Sequence, residues 1–144
     1  MESRVKEAIF KKVAEEPFGR KFGLQLTDLG DGYSRVEMTP TPDMNNIFDL
    51  THGGAIFALI DEAFQTACNS HGTMAVALSM TLTYIAPPRA GSRLTAEARE
   101  YSRTRKTATY EIKVSDADGS LIAVCQALAY RKGISLPFLN PGSE

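Results

Sequence analysis

The 144-residue chain lacks tryptophan, has only two cysteines and two histidines, and has no excess of either charge. Its 16 basic and 17 acidic residues give a formal net charge of −1, so the charge balance does not favour a nucleic acid as partner. Cys68 and Cys125 lie in apolar stretches without a cluster of further ligands, which is typical of small buried side chains. We therefore expect reduced thiols, no disulfide framework and no nucleic-acid partner.

Long apolar runs are also missing. No run approaches the roughly 20 residues that span a membrane, and the N-terminus does not combine a basic segment with an apolar signal region. These features predict a cytoplasmic protein without a membrane partner. The length fits one domain with its own core and is too short for two.

The most apolar segment is a helical pattern from Thr51 to Cys68, which opens with two glycines and carries an acidic pair near its middle. Apolar side chains recur in it at spacings of three and four, the period of a helix with a buried face. They are Ile56, Leu59, Ile60, Ala63, Phe64 and Ala67. We expect this segment to be the central helix of the domain.

Strand patterns surround the predicted helix, two before it and four after it. The segments are 22–29, 33–39, 73–85, 93–103, 107–117 and 121–132. An amphipathic helix over about residues 3–16, stopped by Pro17, precedes a core of about 22–132. Residues 133–144 are the predicted C-terminal tail, of which 137–144 are expected to be frayed. This order predicts a single α+β domain of hotdog architecture, in which an antiparallel six-stranded sheet wraps around a long central helix.

A series of short motifs runs through this core in a fixed order. The motifs are Asn46, His52-Gly53-Gly54, Asp61, Ser79 and the turn Tyr84-Ile85-Ala86-Pro87-Pro88 with Gly91. In order and spacing they resemble the PaaI-type hotdog thioesterases, a family that hydrolyses acyl-coenzyme A and is named for the phenylacetate degradation pathway. The resemblance covers about residues 22–130. It implies a homotetramer of two hotdog dimers with active sites at the dimer interface, and coenzyme A as part of the substrate with no separate cofactor.

Gly53 and Gly54 open the central helix, where backbone N–H groups lack helical acceptors and the positive end of the helix dipole lies. Such a site can stabilise the oxyanion of a thioester carbonyl under attack. Asp61 lies eight residues further on, about 12 Å along the axis, so one chain cannot bring both to one carbonyl carbon. A site that uses both must form between subunits with antiparallel helices. The resemblance implies the same division, with Asn46 and Gly53 from one subunit and Asp61 and Ser79 from the other.

Asp61 can act as general base on a water molecule or as nucleophile through a mixed anhydride, and we favour the general base. The amide of Asn46 can hold the water or the carboxylate, and the hydroxyl of Ser79 can donate or accept beside it. His52 can orient the helix start through the loop backbone or contact the thioester. The plain alternatives are a solvent-facing Asp61–Glu62 pair and a His52 that is only a neighbour of the helix cap.

Further residues are candidates for substrate binding. The phosphates of coenzyme A are expected to bind to cationic side chains. The candidates in the turns are Arg89, Arg103, Arg105 and Lys106, and the alternative is that these loop charges only improve solubility. The acyl pocket is expected to be lined by Ile47, Phe57, Phe64 and Met80. A metal site at His52, Asp61 and Glu62 is not expected, because the adjacent carboxylates point about 100° apart.

Three functions fit these features: an acyl-CoA thioesterase hydrolysing aryl- or short- to medium-chain substrates, a hotdog hydratase or dehydratase, and a non-catalytic acyl-CoA binding protein. A dehydratase needs a histidine and a carboxylate converging on the substrate, and only His52 and His71 are available. A protein that only binds acyl-CoA needs no carboxylate at position 61, where this chain has Asp61. The thioesterase, with phenylacetyl-type substrates favoured by the resemblance, is therefore the leading hypothesis.

Overall fold

The computed structural model describes residues 1–140 as one α+β domain. The helices are α1 (Ser3–Ala14), α2 (Pro17–Phe22) and α3 (Gly53–Asn69). The strands are β1 (Gln25–Gly30), β2 (Tyr33–Met38), β3 (Thr73–Tyr84), β4 (Leu94–Arg103), β5 (Thr107–Ser115) and β6 (Leu121–Ser135). Short 3-10 turns lie at Pro42–Met44 and Pro137–Leu139. No helix of the described residues is long and apolar enough to cross a membrane.

The six strands form one antiparallel sheet in the order β1-β2-β4-β5-β6-β3. The predicted antiparallel sheet around a long helix is confirmed. Tight turns sit where the glycines allow a positive φ, as at Gly32 (φ 65°) between β1 and β2 and at Gly119 (φ 85°) between β5 and β6. A side chain at Gly32 would also collide with Glu100, since a Cβ there would lie 2.8 Å from the Glu100 Cβ.

The core lies between α3 and the face of the sheet that packs against it. Eleven of the 17 residues of α3 are buried, which matches the broad apolar face of the sequence. Phe64 packs edge-on against Tyr110 of β5 with ring centroids 5.5 Å apart. The buried Ser34 hydroxyl of β2 donates to the Ala63 carbonyl at 2.6 Å and ties the sheet to the helix.

The N-terminal region differs from the sequence prediction. The first helix ends at Ala14, and Pro17 begins a second helix, α2, where the sequence predicted only a stop. Proline suits the first turn of a helix because it has no N–H that needs an acceptor there. Pro17 therefore begins α2, three residues after the end of α1. As a result β1 begins at Gln25, three residues later than predicted.

The C-terminal region is also more ordered than a frayed tail. Strand β6 extends to Ser135, and the turn at Pro137–Leu139 packs on α1. A second apolar cluster joins them, with Val5, Ile9, Leu29 and Leu136 buried. Arg4 also donates to the Leu139 carbonyl and, at 2.7 Å, to Asn140. The prediction for residues 141–144 lies outside the described residues.

Candidate active site

The start of α3 is capped by His52. Its Nδ1 accepts the Gly54 N–H at 2.8 Å, which places the ring proton on Nε2, and its carbonyl accepts the Ala55 N–H at 2.9 Å. Among residues 1–140, no acceptor lies within hydrogen-bonding distance of the Gly53 N–H. Of the two glycine donors expected at the helix start, the Gly54 N–H is therefore occupied and the Gly53 N–H is available.

Tyr84 covers one side of Gly53. Its hydroxyl donates to the Gly53 carbonyl at 3.0 Å, and a Cβ at Gly53 would lie 3.1 Å from the ring. A side chain at position 53 would therefore push against this ring, which adds a packing reason for glycine to the chemical one. The sequence predicted Tyr84 only as part of the turn motif and as sheet packing, because a tyrosine at a strand end is ordinary there; its second role comes from a tertiary contact.

The loop before α3 is organised by Asn46. Its side-chain oxygen accepts the N–H groups of Phe48 at 2.8 Å and Leu50 at 3.1 Å, while Asp49 adopts a left-handed conformation (φ 58°). The side-chain NH₂ of Asn46 has no acceptor within the described part of the chain. Asn46 thus shapes the loop with one end of its amide and keeps the other end available.

Asp61 lies on the third turn of α3 and is about half-buried. No hydrogen bond or ion pair joins its carboxylate to another of the residues 1–140. Burial, and then the negative charge of Glu16, raise the pKa of Asp61 above its ordinary value. An unpaired carboxylate in a partly apolar position is a stronger base than one in water. Its burial lowers the stability of the fold, and a functional role would explain why such a residue is kept.

The neighbouring Glu62 is buried more deeply, with 4% of its surface exposed. Gln65 bridges it to Glu16, because the Gln65 amide donates to Glu16 at 2.7 Å and to Glu62 at 3.3 Å. Burial, the hydrogen bond and charge of Glu16, and the charge of Asp61 raise the pKa of Glu62 to about 8. The possibility that the acidic pair faces solvent is therefore wrong. Sequence reasoning missed Glu16 and Gln65, although the Glu62/Gln65 spacing of three was a signal for contact on one helix face.

A cavity of about 730 Å³ opens beside Asp61. Its walls come from α1, α3, β3 and the segment 136–138, and they include Phe64 and Cys68 of α3 and Val76 of β3. Of the four residues predicted to line an acyl pocket, only Phe64 borders this cavity. Ile47 (90% exposed) and Phe57 (39% exposed) face away from the chain, and Met80 packs against the core.

Ser79 is exposed on β3, directly after an irregularity in the pairing of β3 with β6 between Ala77 and Ser79. Strand β3 is at the edge of the sheet and pairs with no strand on its other side among residues 1–140. Apolar side chains are exposed along it, notably Leu78 (56%). An open, partly apolar edge of 12 residues is suited to pairing with another chain.

The predicted cations separate into two places. Arg89 forms ion pairs with Asp118 at 3.0 Å and Asp116 at 3.6 Å in the loop before β4. Arg103 ends β4, about 30 Å away along the strand, and Arg105 and Lys106 follow in the next turn. A single chain therefore does not join them in one phosphate site. The described residues contain no group of three His, Cys, Asp or Glu side chains able to hold a metal ion.

The predicted catalytic residues likewise form two groups in one chain. Asn46, His52 and Gly53 cluster at the start of α3, whereas Asp61 lies about 12 Å further along the helix and Ser79 on β3. Among the described residues, the first group has two unused donors, the Gly53 N–H and the side-chain NH₂ of Asn46, and the second has the unpaired carboxylate of Asp61.

Comparisons with known proteins agree with this fold. A family model described as the thioesterase superfamily matches residues 48–123. A candidate esterase of Archaeoglobus fulgidus is 34% identical over 95% of this chain and 87% of its own length. The acyl-coenzyme A thioesterase PaaI of Escherichia coli is 33% identical over 79% of this chain and 81% of its own. The solved structure of the E. coli PaaI protein superposes with a TM-score of 0.87 and 29% identity, covering 92% of this chain and 96% of that one.

Proposed function

Because the chain belongs to the thioesterase superfamily and to its PaaI-type hotdog branch, we propose that this thioester hydrolase cleaves acyl-coenzyme A, with phenylacetyl-type substrates favoured. The observation that carries the proposal is the unpaired, half-buried Asp61 carboxylate beside a largely apolar cavity. The relative from E. coli is named as an acyl-coenzyme A thioesterase, which supports the same substrate class. Coenzyme A then enters as part of the substrate.

In the proposed reaction Asp61 takes a proton from a water molecule, whose oxygen attacks the thioester carbonyl carbon. The carbonyl oxygen gains negative charge and is stabilised by the Gly53 N–H at the positive end of a helix. The C–S bond then breaks, and the proton passes to the thiolate, which leaves the free acid and coenzyme A thiol. The raised pKa of Asp61 makes its carboxylate a better base than that of an exposed aspartate.

Other side chains position these groups. His52 holds Gly54 and so fixes the direction of the neighbouring Gly53 N–H. The free NH₂ of Asn46 can donate to the attacking water or to the carboxylate, and the exposed hydroxyl of Ser79 can bond beside Asp61. Arg89, Arg103, Arg105 and Lys106 stay predictions for the coenzyme A phosphates.

The two halves of the site meet when α3 helices of two chains run antiparallel. The unpaired edge of β3 and its exposed Leu78 support a two-fold dimer that joins two sheets at this strand. In such a dimer the Gly53 N–H of one subunit faces Asp61 of the other, which removes the 12 Å separation within a chain. Association of two dimers into a tetramer remains a prediction from the family resemblance.

The test is the release of free thiol from phenylacetyl- and hexanoyl-CoA. We expect wild type to hydrolyse at least one of them and Asp61→Asn to lose about 10²- to 10⁴-fold in kcat, since it removes the base and keeps the shape. Asp28→Asn makes the same change at an exposed site on β1 and serves as control. Intact thioesters with wild type would contradict the activity, and undiminished turnover by Asp61→Asn would contradict the role of Asp61. A pre-steady-state burst of thiol would indicate a covalent intermediate, and Asp61 would then act as nucleophile through a mixed anhydride and not as general base.

A further inference from the structure

The cavity beside Asp61 extends in one direction from the carboxylate. It follows α3 past Phe64 to Cys68 and Asn69, toward the C-terminal end of the helix and away from Gly53. Seven residues of helix separate Asp61 from Cys68, which makes the cavity about 10 Å long beyond the carboxylate. A thioester carbonyl held at Asp61 therefore has an open space on one side, in the same chain as the base.

The interior of this cavity is apolar, because its polar side chains are already bonded to the protein. Asn69 exchanges two hydrogen bonds with the backbone of Ala75, at 2.8 and 3.1 Å. Thr66 donates to the Glu62 carbonyl at 2.9 Å, and Gln65 donates to Glu16. The remaining lining is mainly aliphatic and aromatic, apart from Asp61, Glu16 and the exposed Lys12. An apolar ligand can fill such a space, whereas a charged one would lose its hydration without gaining partners.

The wall opposite α3 comes from α1 and the segment 136–138. Val13 of α1 and Phe138 line the cavity and pack against the apolar cluster of Val5, Ile9, Leu29 and Leu136 that holds α1 in place. The family model matches residues 48–123. The residues that shape this wall therefore lie outside the part of the chain that matches the family model.

We propose that this cavity binds the acyl group of the substrate, and that Val13 of α1 sets which acyl groups fit. The inference rests on the proposed thioesterase function and names its substrate class: uncharged aryl-acetyl or medium-chain acyl groups that reach from Asp61 toward Cys68. An acetyl group would leave most of about 730 Å³ unfilled. Each methylene added to a short acyl chain is expected to raise kcat/KM about fourfold until the cavity is filled.

The first experiment compares kcat/KM for acetyl-, butanoyl-, octanoyl- and phenylacetyl-CoA between wild type and Val13→Phe. Because Val13 lines the cavity, the added ring should take up part of its volume. We expect a loss of at least about tenfold with octanoyl- and phenylacetyl-CoA and less than about twofold with acetyl-CoA. Ala14→Phe adds the same ring at the next, exposed position of α1 and should leave the profile unchanged. A wild-type profile that is flat in chain length, or a Val13→Phe profile equal to that of wild type, would overturn the proposal.

A binding measurement separates this inference from the function. In the Asp61→Asn background, which slows turnover, calorimetry should find octanoyl-CoA binding at least about tenfold more tightly than acetyl-CoA, and Val13→Phe should remove the difference. Equal affinities in the Asp61→Asn protein would overturn the acyl cavity even if wild type hydrolyses thioesters. If wild type hydrolyses none of the four while the affinity difference is found, the proposed function fails and the binding cavity stands.

Discussion

The first and third turns of α3 differ in how they produce a functional group. At the first turn the group is a backbone N–H, that of Gly53. The adjacent residue His52 caps the helix there, and Tyr84 of β3 packs against Gly53. At the third turn the group is a carboxylate, Asp61, and its properties come from burial and from Glu16, 45 residues earlier in the chain. One helix thus carries a donor whose cap comes from the adjacent residue and a carboxylate whose pKa depends on tertiary structure.

The comparison predicts that the two turns act in one site only when two subunits meet. Gly53→Pro removes the available N–H, and proline is tolerated in the first turn of a helix, so we expect a loss of about 10²- to 10³-fold in kcat. When Gly53→Pro and Asp61→Asn subunits are mixed under exchange, half of the dimers are mixed and each contains one intact site. Thiol release should therefore recover to roughly a quarter of the wild-type rate.

Two measurements control this mixing experiment. Each variant incubated alone under the same exchange conditions should stay inactive, and circular dichroism should find the helix content of Gly53→Pro unchanged. The second control matters because the new ring approaches Tyr84, which lies 3.1 Å from a Cβ at position 53. Mixed subunits without recovered activity, despite demonstrated exchange, would place both halves of the site in one chain.

The third turn also predicts a pH dependence of stability. The pKa of Glu62 is about 8 in the folded protein, against an ordinary value of 4.5. Between these values the folded chain keeps a proton that the unfolded chain releases, so the contribution of Glu62 is full below about pH 4.5 and is lost as pH rises through 8. Glu62→Gln has no proton to lose and still offers an amide to Glu16. Its free energy of unfolding should exceed that of wild type by an amount that grows from pH 5 to pH 9.

Urea unfolding at pH 5, 7 and 9 measures this difference. One unit of pKa shift corresponds to about 1.4 kcal/mol, so the gain at pH 9 should reach a few kcal/mol. Glu7→Gln, at an exposed position of α1, is the matched control and should run parallel to wild type. If Glu62→Gln also ran parallel to wild type, Glu62 would be ionised in the folded protein across this pH range, and its pKa would not be raised.

The same contrast explains what the sequence could predict. The spacing of Ile56, Leu59 and Phe64 predicted the central helix, and alternation with glycine turns predicted the six strands, because both signals are local. The contact of His52 with the start of the helix was predictable for the same reason, because His52 lies beside the two glycines. The protonation of Glu62 was not, since nothing near it in the sequence identifies Glu16 as its neighbour.

Pro17 and the cavity beside Asp61 are features that local sequence signals could not predict. Pro17 ends one helix and begins another, and these two roles have the same local signature, so α2 was missed. Ile47 and Phe57 looked like pocket residues because they are apolar and close to the motifs, but their exposure in one chain is set by the direction of the loop and the helix. Cavity walls from α1 and the C-terminal segment come from opposite ends of the sequence and have no local signal.

The smallest expected effect concerns His52, the cap of the first turn. His52→Ala removes the acceptor of the Gly54 N–H, which should cost about 1 kcal/mol of stability and lower Tm by about 3 °C. His52→Asn restores a good capping residue with an acceptor for the same N–H, so it should recover both Tm and kcat/KM. If it restored Tm but not kcat/KM, the imidazole would act on the thioester itself, and the first turn would then supply a side chain as well as a backbone donor.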